Sequence, residues 1–200
     1  MQLLVVLAHP DPASFNAAIA DTAVAALRGL GHEVVLRDLC AEGFDPLLGA
    51  GEISEQAELP PSVEAHCRDL ERAQGIVIVH PNWWGMPPAI MKGWIDRVFR
   101  PGRAYRFLEG DGGEGVPQGL LPAKAAVVYN TGNTPAAREL EAFGDPLERL
   151  WRDCVFGLCA ELEFHRRLFG VVCLSDAAQR AAWLKEVEQD MARLFPGEGA

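Results

Sequence analysis

Three short stretches hold the side chains best suited to chemistry. The first is His9-Pro10-Asp11-Pro12-Ala13-Ser14-Phe15-Asn16, which follows an apolar run over 2–8 and precedes an Ala-rich helical pattern from about Asn16 to Leu30. Ser14 or Asn16 can cap that helix, because a short oxygen-bearing side chain accepts from the unpaired N–H groups of the first turn. Those N–H groups and the positive end of the helix dipole suit an anion, a phosphate above all. A plain strand-to-helix turn with ordinary caps explains the same residues equally well. The stretch is neither G-x-G-x-x-G nor a Walker A loop, which argues against Rossmann dinucleotide binding and P-loop chemistry.

The second stretch, His80-Pro81-Asn82-Trp83-Trp84-Gly85, follows the β-branched run Gly75-Ile76-Val77-Ile78-Val79 and precedes Pro87-Pro88 and a helical stripe of Ile90, Trp94, Ile95 and Val98. Two indoles on a turn at the end of a buried strand are expected to line a flat ligand rather than to fill the core. The third stretch, Asn130-Thr131-Gly132-Asn133-Thr134, is a polar turn closing the strand pattern 123–129.

The elements that must position these turns alternate along the chain. Strand patterns over 2–8, 33–39, 75–79, 123–129 and 166–174 are separated or followed by helical patterns over about 16–30, 62–73, 88–99, 146–162 and 177–195. Alternation of this kind requires a parallel sheet covered on both faces. The expectation is an α/β fold, a flavodoxin-like five-stranded parallel sheet of order 2-1-3-4-5 with helices on both faces, spanning 1–200 as one domain. In that order the three turns follow strands one, three and four and meet at one sheet edge, where ligands bind in open α/β folds. A flat heterocycle carrying a phosphate fits all three turns, and a flavin is such a molecule. The irregular segment 42–61 is expected to be a surface excursion, and the Gly-rich segment Leu108–Pro122 a loop or lid whose acidic Glu109, Asp111 and Glu114 are solvated.

Composition narrows the class further. A net charge of −10 over 200 residues disfavours a nucleic-acid binder. Cys40, Cys67, Cys154, Cys159 and Cys173 are odd in number with no C-x-x-C pair, which points to reduced thiols in a cytoplasmic protein. No apolar run approaches the ~20 residues of a membrane span, and the start lacks a signal-peptide pattern.

Residues 80–99, with Pro81, Trp84, Pro88-Ala89-Ile90-Met91-Lys92-Gly93-Trp94 and Arg97-Val98-Phe99, resemble the NAD(P)H:quinone oxidoreductase family. The His9…Ser14-Phe15-Asn16 turn, Gly43-Phe44-Asp45-Pro46-Leu47, Ala104-Tyr105 and Thr131-Gly132 extend the likeness over nearly the whole chain. The resemblance implies a flavodoxin-like homodimer that passes a hydride from NAD(P)H through a flavin to a quinone or similar acceptor, nitroaromatic or azo compounds included. By match, Ser14, Phe15 and Asn16 would hold the flavin phosphate with His9 beside it. Pro81, Asn82, Trp83, Trp84 and Gly85 would line the ring system, and Asn130, Thr131 and Gly132 would bond its pyrimidine edge. Tyr105 and Phe107 would shape the substrate pocket. FMN is favoured over FAD because the segment after strand two is short. No metal and no membrane insertion are expected.

One departure bears on the mechanism. The Tyr and His that serve proton relay in animal members are replaced here, with Arg138 or Glu139 at the first position and Phe143 at the second. Arg138 is therefore the candidate for a cation beside the flavin. His9, His80 and His165 are expected in capping, buried hydrogen-bonded and edge roles, and Asp96–Arg97 as a surface or interface charge pair. Two rivals are weaker. The Ala8-His9-Pro10-Asp11 turn is similar to that of zinc-dependent deacetylases, but Pro12 stands at the second Asp. A flavin-binding ancillary regulator of an ion-efflux system is the other.

Overall fold

The computed structural model describes residues 1–108, 110 and 114–197. Five strands form the parallel sheet: β1 (Gln2–Leu7), β2 (Glu33–Asp38), β3 (Gly75–Pro81), β6 (Ala125–Gly132) and β7 (Glu163–Gly170), in the order β2-β1-β3-β6-β7. Two-residue strands β4 (Tyr105–Arg106) and β5 (Gln118–Gly119) form a separate antiparallel pair between β3 and β6 in sequence. Without that pair the sheet is the flavodoxin-like order 2-1-3-4-5, as expected. The helices are α1 (Phe15–Gly29), α2 (Pro61–Arg72), α3 (Ala89–Val98), α4 (Ala136–Phe143), α5 (Pro146–Arg149), α6 (Gly157–Cys159) and α7 (Ala177–Leu194).

The pleat sends alternate residues of each strand to opposite faces. Leu3, Val5, Leu7, Val77, Val79, Val127 and Tyr129 pack under α1 and α7, while Leu4, Val6, Ile76, Ile78, Ala126 and Val128 pack under α2, α3 and the α5–α6 region. Central β3 is buried along its whole length, which accounts for its unbroken Ile/Val run. Ser14 caps α1 by accepting from the Ala17 N–H, and Gly31 at φ +85° lets the chain leave α1 in the left-handed region. Asp176 caps α7 in the same way, accepting from Gln179.

Four expectations need correction. The last strand starts at Glu163 and ends at Gly170, not over 166–174, because its partner is β6 from Ala125↔Glu163 to Gly132↔Gly170. The apolar run 168–174 misleads; the charged half is accepted because β7 is an edge strand where Arg166 and Arg167 find Asp145 and Asp190. The helix expected over 146–162 is broken into α5, a π-helical turn over Leu150–Phe156 and α6. That wide turn keeps Trp151 and Phe156 both in the core, rings stacked at 5.7 Å. Helix α4 was not expected, since Pro135 precedes it without a side-chain cap; it is ended by Gly144 at φ +71°. Finally, Arg97 is not a surface charge. It is buried, and it grips both oxygens of Glu52 at 2.9 and 2.7 Å. The exposed Asp96 pairs with Lys92 instead.

The Arg97–Glu52 fork ties the excursion 43–56 down onto α3. A Cβ on Gly93 would overlap the Pro46 backbone, so this close approach requires glycine there. Of the segment Leu108–Pro122, Glu109 and 111–113 lie outside the described residues.

Candidate functional site

The carboxyl ends of β1, β3 and β6 lie side by side, with Leu7 opposite Val79, and His80 and Pro81 opposite Asn130 and Thr131. The three turns that follow these strands therefore converge, and a cavity of about 390 Å³ opens between them. Its wall includes His9, Ser14, Phe15, Asn16, Pro81, Asn82, Trp83, Thr131 and Gly132. A second cavity of about 440 Å³ adjoins it, sharing Asn82, Gly132, Asn133 and Thr134, and is completed by Trp84, Gly85, Glu139, Phe143 and Pro146. Eleven of the twelve residues expected to hold the flavin thus line one or the other.

The turns are locked to one another. Asn16 Nδ2 donates to Thr131 Oγ1 at 2.9 Å, linking the first turn of α1 to the end of β6. The Asn82 N–H donates to the Thr131 carbonyl at 2.7 Å, linking β3 to β6. Asn16 is buried, and its Oδ1 has no partner among the described residues. The Thr131 hydroxyl can equally donate to the amide oxygen, which would turn Nδ2 into the unpartnered atom. Either way one buried amide atom of this cavity-lining residue has no partner among the described residues.

Trp83 to Met86 is a two-residue hairpin, with both Trp83 N–H···O Met86 (3.1 Å) and the reciprocal bond (3.0 Å). Trp84 at φ +60° and Gly85 at φ +72° fill its centre, as a type I′ turn demands. Gly suits that conformation; a bulky aromatic is strained there. That backbone conformation carries the Trp84 indole outward, 97% exposed, where it lines the second cavity. Asn82 Oδ1 accepts from the Gly85 N–H at 3.0 Å and steadies the turn. A Cβ on Gly85 would also come within 2.8 Å of Pro146, so the turn and α5 can meet only over glycine.

Beneath the cavities lies a buried polar chain. His80 accepts from Trp151 Nε1 at its Nε2 (2.9 Å), and Asn130 Nδ2 reaches the His80 carbonyl at 3.2 Å. Arg166, 4% exposed at its side chain, donates to Asn130 Oδ1 (2.7 Å) and to Asp145 Oδ2 (2.6 Å). Complete burial drives the His80 pKa down to about 4, aided by the Arg166 charge, so the ring is a neutral acceptor at neutral pH.

Four of the sequence candidates lie elsewhere, Phe107 among them. Asn130 is fully buried and its side chain serves this internal chain, not a cavity. Tyr105 sits half-buried on β4 with its ring against Phe107 at 5.9 Å, and lines neither cavity. Arg138 is exposed on α4 and lines neither; its neighbour Glu139 is the one turned inward. His9 bonds within its own loop, where its Nδ1 accepts from the Asp11 N–H at 3.1 Å, and its ring faces Trp83 at 6.1 Å. Sequence reasoning missed Val172 and Cys173 of the β7–α7 connection and Arg180 of the first turn of α7, which close the first cavity. No local pattern marks them; only the sheet order carries that connection to this edge.

The profile of the Flavodoxin_2 family, described as a flavodoxin-like fold, matches residues 1–189. An NAD(P)H oxidoreductase of Haemophilus influenzae, described as uncharacterized, is 30% identical over 196 residues, which cover 94% of this chain and 93% of that one. The chain belongs to the flavodoxin-like NAD(P)H:quinone oxidoreductase family. NAD(P)H dehydrogenase [quinone] 1 of Rattus norvegicus is 35% identical over 123 residues, 52% of this chain and 45% of that protein. The match thus spans about half the length of that relative. Among solved structures, a Klebsiella pneumoniae protein provisionally described as a quinone reductase superposes with a TM-score of 0.83 at 25% identity, over 99% of this chain and 86% of that one.

Proposed function

We propose that this family member is a single flavin-binding domain that takes a hydride from NAD(P)H and delivers two electrons to a quinone, nitroaromatic or azo acceptor. The observation that carries the reading is the convergence of three strand-end turns on one cavity whose wall includes the first turn of α1 and the incompletely bonded Asn16 amide. That corner suits a phosphate: Ser14 already caps the helix, the remaining first-turn N–H groups can donate, and Arg180 adds positive charge to the same cavity. Pro81, Trp83, Thr131 and Gly132 would then flank the ring system, and the adjoining cavity with Trp84 and Phe143 would receive donor and acceptor in turn. FMN is preferred over FAD because the excursion 43–56 is packed on α3 and lines neither cavity.

When bound, a flavin supplies the atom that accepts the hydride and later passes it on. The protein's own contribution is positioning. The Asn16–Thr131 bond holds two walls at a set distance, and the Asn82–Thr131 bond holds the third. The Trp83–Met86 hairpin presents an indole that excludes water from the adjoining cavity once a planar substrate lies against it. Tyr105 lines neither cavity of its own chain, so we assign it to the site of a second copy in a homodimer.

The deciding experiment is the absorbance spectrum of the purified protein, with mass analysis of the released cofactor and NADPH oxidation assayed with a naphthoquinone. Flavin bands and acceptor-dependent oxidation are expected, with the mass of FMN. A colourless protein that takes up neither FMN nor FAD would overturn the proposal; flavin bound without turnover would leave a binding protein and remove the enzyme.

A further inference from the structure

The adjoining cavity is apolar on much of its wall, with Trp84, Phe143 and Pro146, yet it contains a carboxylate. Among the described residues that line it, Glu139 is the only charged one. It sits in the first turn of α4, 8% exposed, and no hydrogen bond or ion pair to its side chain occurs among the described residues. No salt bridge joins Glu139 to a cation among the described residues: Arg166 donates through Nε and Nη1 to Asn130 and Asp145, with its buried Nη2 unpartnered, and Arg138 is exposed. The backbone of Glu139 is fixed at both ends, its N–H donating to Pro135 O at 3.1 Å and its carbonyl accepting from Asp145 N at 3.3 Å. A carboxylate so placed acts on whatever enters the cavity, through less screening than at an open surface.

We propose that Glu139 is a specificity-determining residue that makes this cavity select neutral and cationic planar rings and reject anionic ones. Repulsion disfavours a ring carrying a sulfonate or carboxylate. A cationic ring gains both the carboxylate and the face of the exposed indole. The inference rests on the reductase reading for its substrates, and it deepens it. A hydride donor's ring becomes positively charged as the hydride leaves, so the carboxylate favours that half of the reaction while excluding anionic acceptors from the same space.

The test uses the holoenzyme and two non-reducible rings, (2-naphthyl)trimethylammonium and 2-naphthalenesulfonate, with dissociation constants read from quenching of tryptophan fluorescence. In parallel, kcat/KM is compared for 1,4-naphthoquinone and its 2-sulfonate. The wild-type protein is expected to bind the ammonium more tightly than the sulfonate and to turn over the neutral quinone preferentially. Glu139→Gln should narrow both ratios by about ten-fold, the effect of one charge at close range. Glu139→Asp should keep them, and Glu141→Gln, which removes the same charge from the exposed side of α4, should leave them unchanged. No preference in the wild-type protein, no change in Glu139→Gln, or an equal change in Glu141→Gln would each overturn the proposal. The binding arm requires no turnover. Charge preference without quinone reduction would therefore sink the reductase reading alone, and reduction without charge preference would sink the Glu139 assignment alone.

Discussion

At the scale of single residues, Asn16 and His80 carry the sharpest consequences. Asn16 ties α1 to Thr131 and keeps one amide atom unpartnered in a buried wall. Removing it deletes a buried bond and a ligand contact together. Asn16→Ala is expected to weaken FMN binding roughly ten-fold or more, corresponding to about 1–3 kcal/mol, and Asn16→Asp, which sets a carboxylate against a phosphate, to weaken it further. Titration of flavin fluorescence against each protein measures this, and unchanged affinity in both variants would remove the phosphate assignment. His80 answers to pH. Its folded pKa of about 4 lies below the ordinary value near 6.5, so the unfolded chain binds the extra proton between those values. Its contribution is therefore fully present above about pH 6.5 and is lost as pH falls towards 4, about 3 kcal/mol in all. Urea midpoints for wild type and His80→Gln should converge across that window as pH is lowered; a constant difference would refute it.

At the scale of elements, two local devices shape the site from outside it. The Trp83–Met86 hairpin keeps a bulky residue in the left-handed region, where Asn or Gly would rest without strain. Because the Trp84 side chain is almost wholly exposed, Trp84→Asn loses little packing and should raise stability by about 1 kcal/mol while lowering kcat/KM for the acceptor. Thermal melts and acceptor kinetics on one preparation give both numbers, and a fall in stability would show the strain to be illusory. The other device is the Arg97–Glu52 fork under the excursion 43–56. Arg97→Met leaves a buried carboxylate unpaired and should cost about 3–5 kcal/mol. Adding Glu52→Gln to it should recover much of the loss in chemical denaturation; no recovery would mean that Arg97 acts by packing, for instance over the Phe44 ring at 5.6 Å.

At the scale of the whole molecule, the site is a property of the sheet edge and, in our reading, of two chains. Trp84 and Phe143, which line the second cavity, are exposed large apolar side chains, as are Met86, Phe107 and Leu108 elsewhere on the chain. Sedimentation equilibrium is expected to give twice the chain mass. Tyr105→Ala should then raise the acceptor KM without loss of bound flavin, a result that a monomer with Tyr105 outside its own cavities would not produce. Among the described residues no helix is long and apolar enough to cross a membrane.

What the sequence determined by itself is what short-range physics controls. The Ile/Val runs define the buried strands, Ser14, Asp176 and Gly31 mark helix ends by hydrogen bonds and left-handed φ, and alternation with helices requires a parallel sheet. From these the flavodoxin-like order and the convergence of the three turns follow, because strand order decides which turns share an edge. The tertiary structure decided where each side chain spends its interactions. Adjacent Arg138 and Glu139 look alike as candidates, and helix phase alone sends one to solvent and the other to the cavity. Asn130 and Thr131 are neighbours on one strand, and the pleat gives Asn130 to Arg166 and Thr131 to Asn16. Arg97 became a core residue only because Glu52, forty-five positions away, folds back onto it. Such choices depend on partners distant in sequence, and packing supplies those partners only once the sheet is assembled.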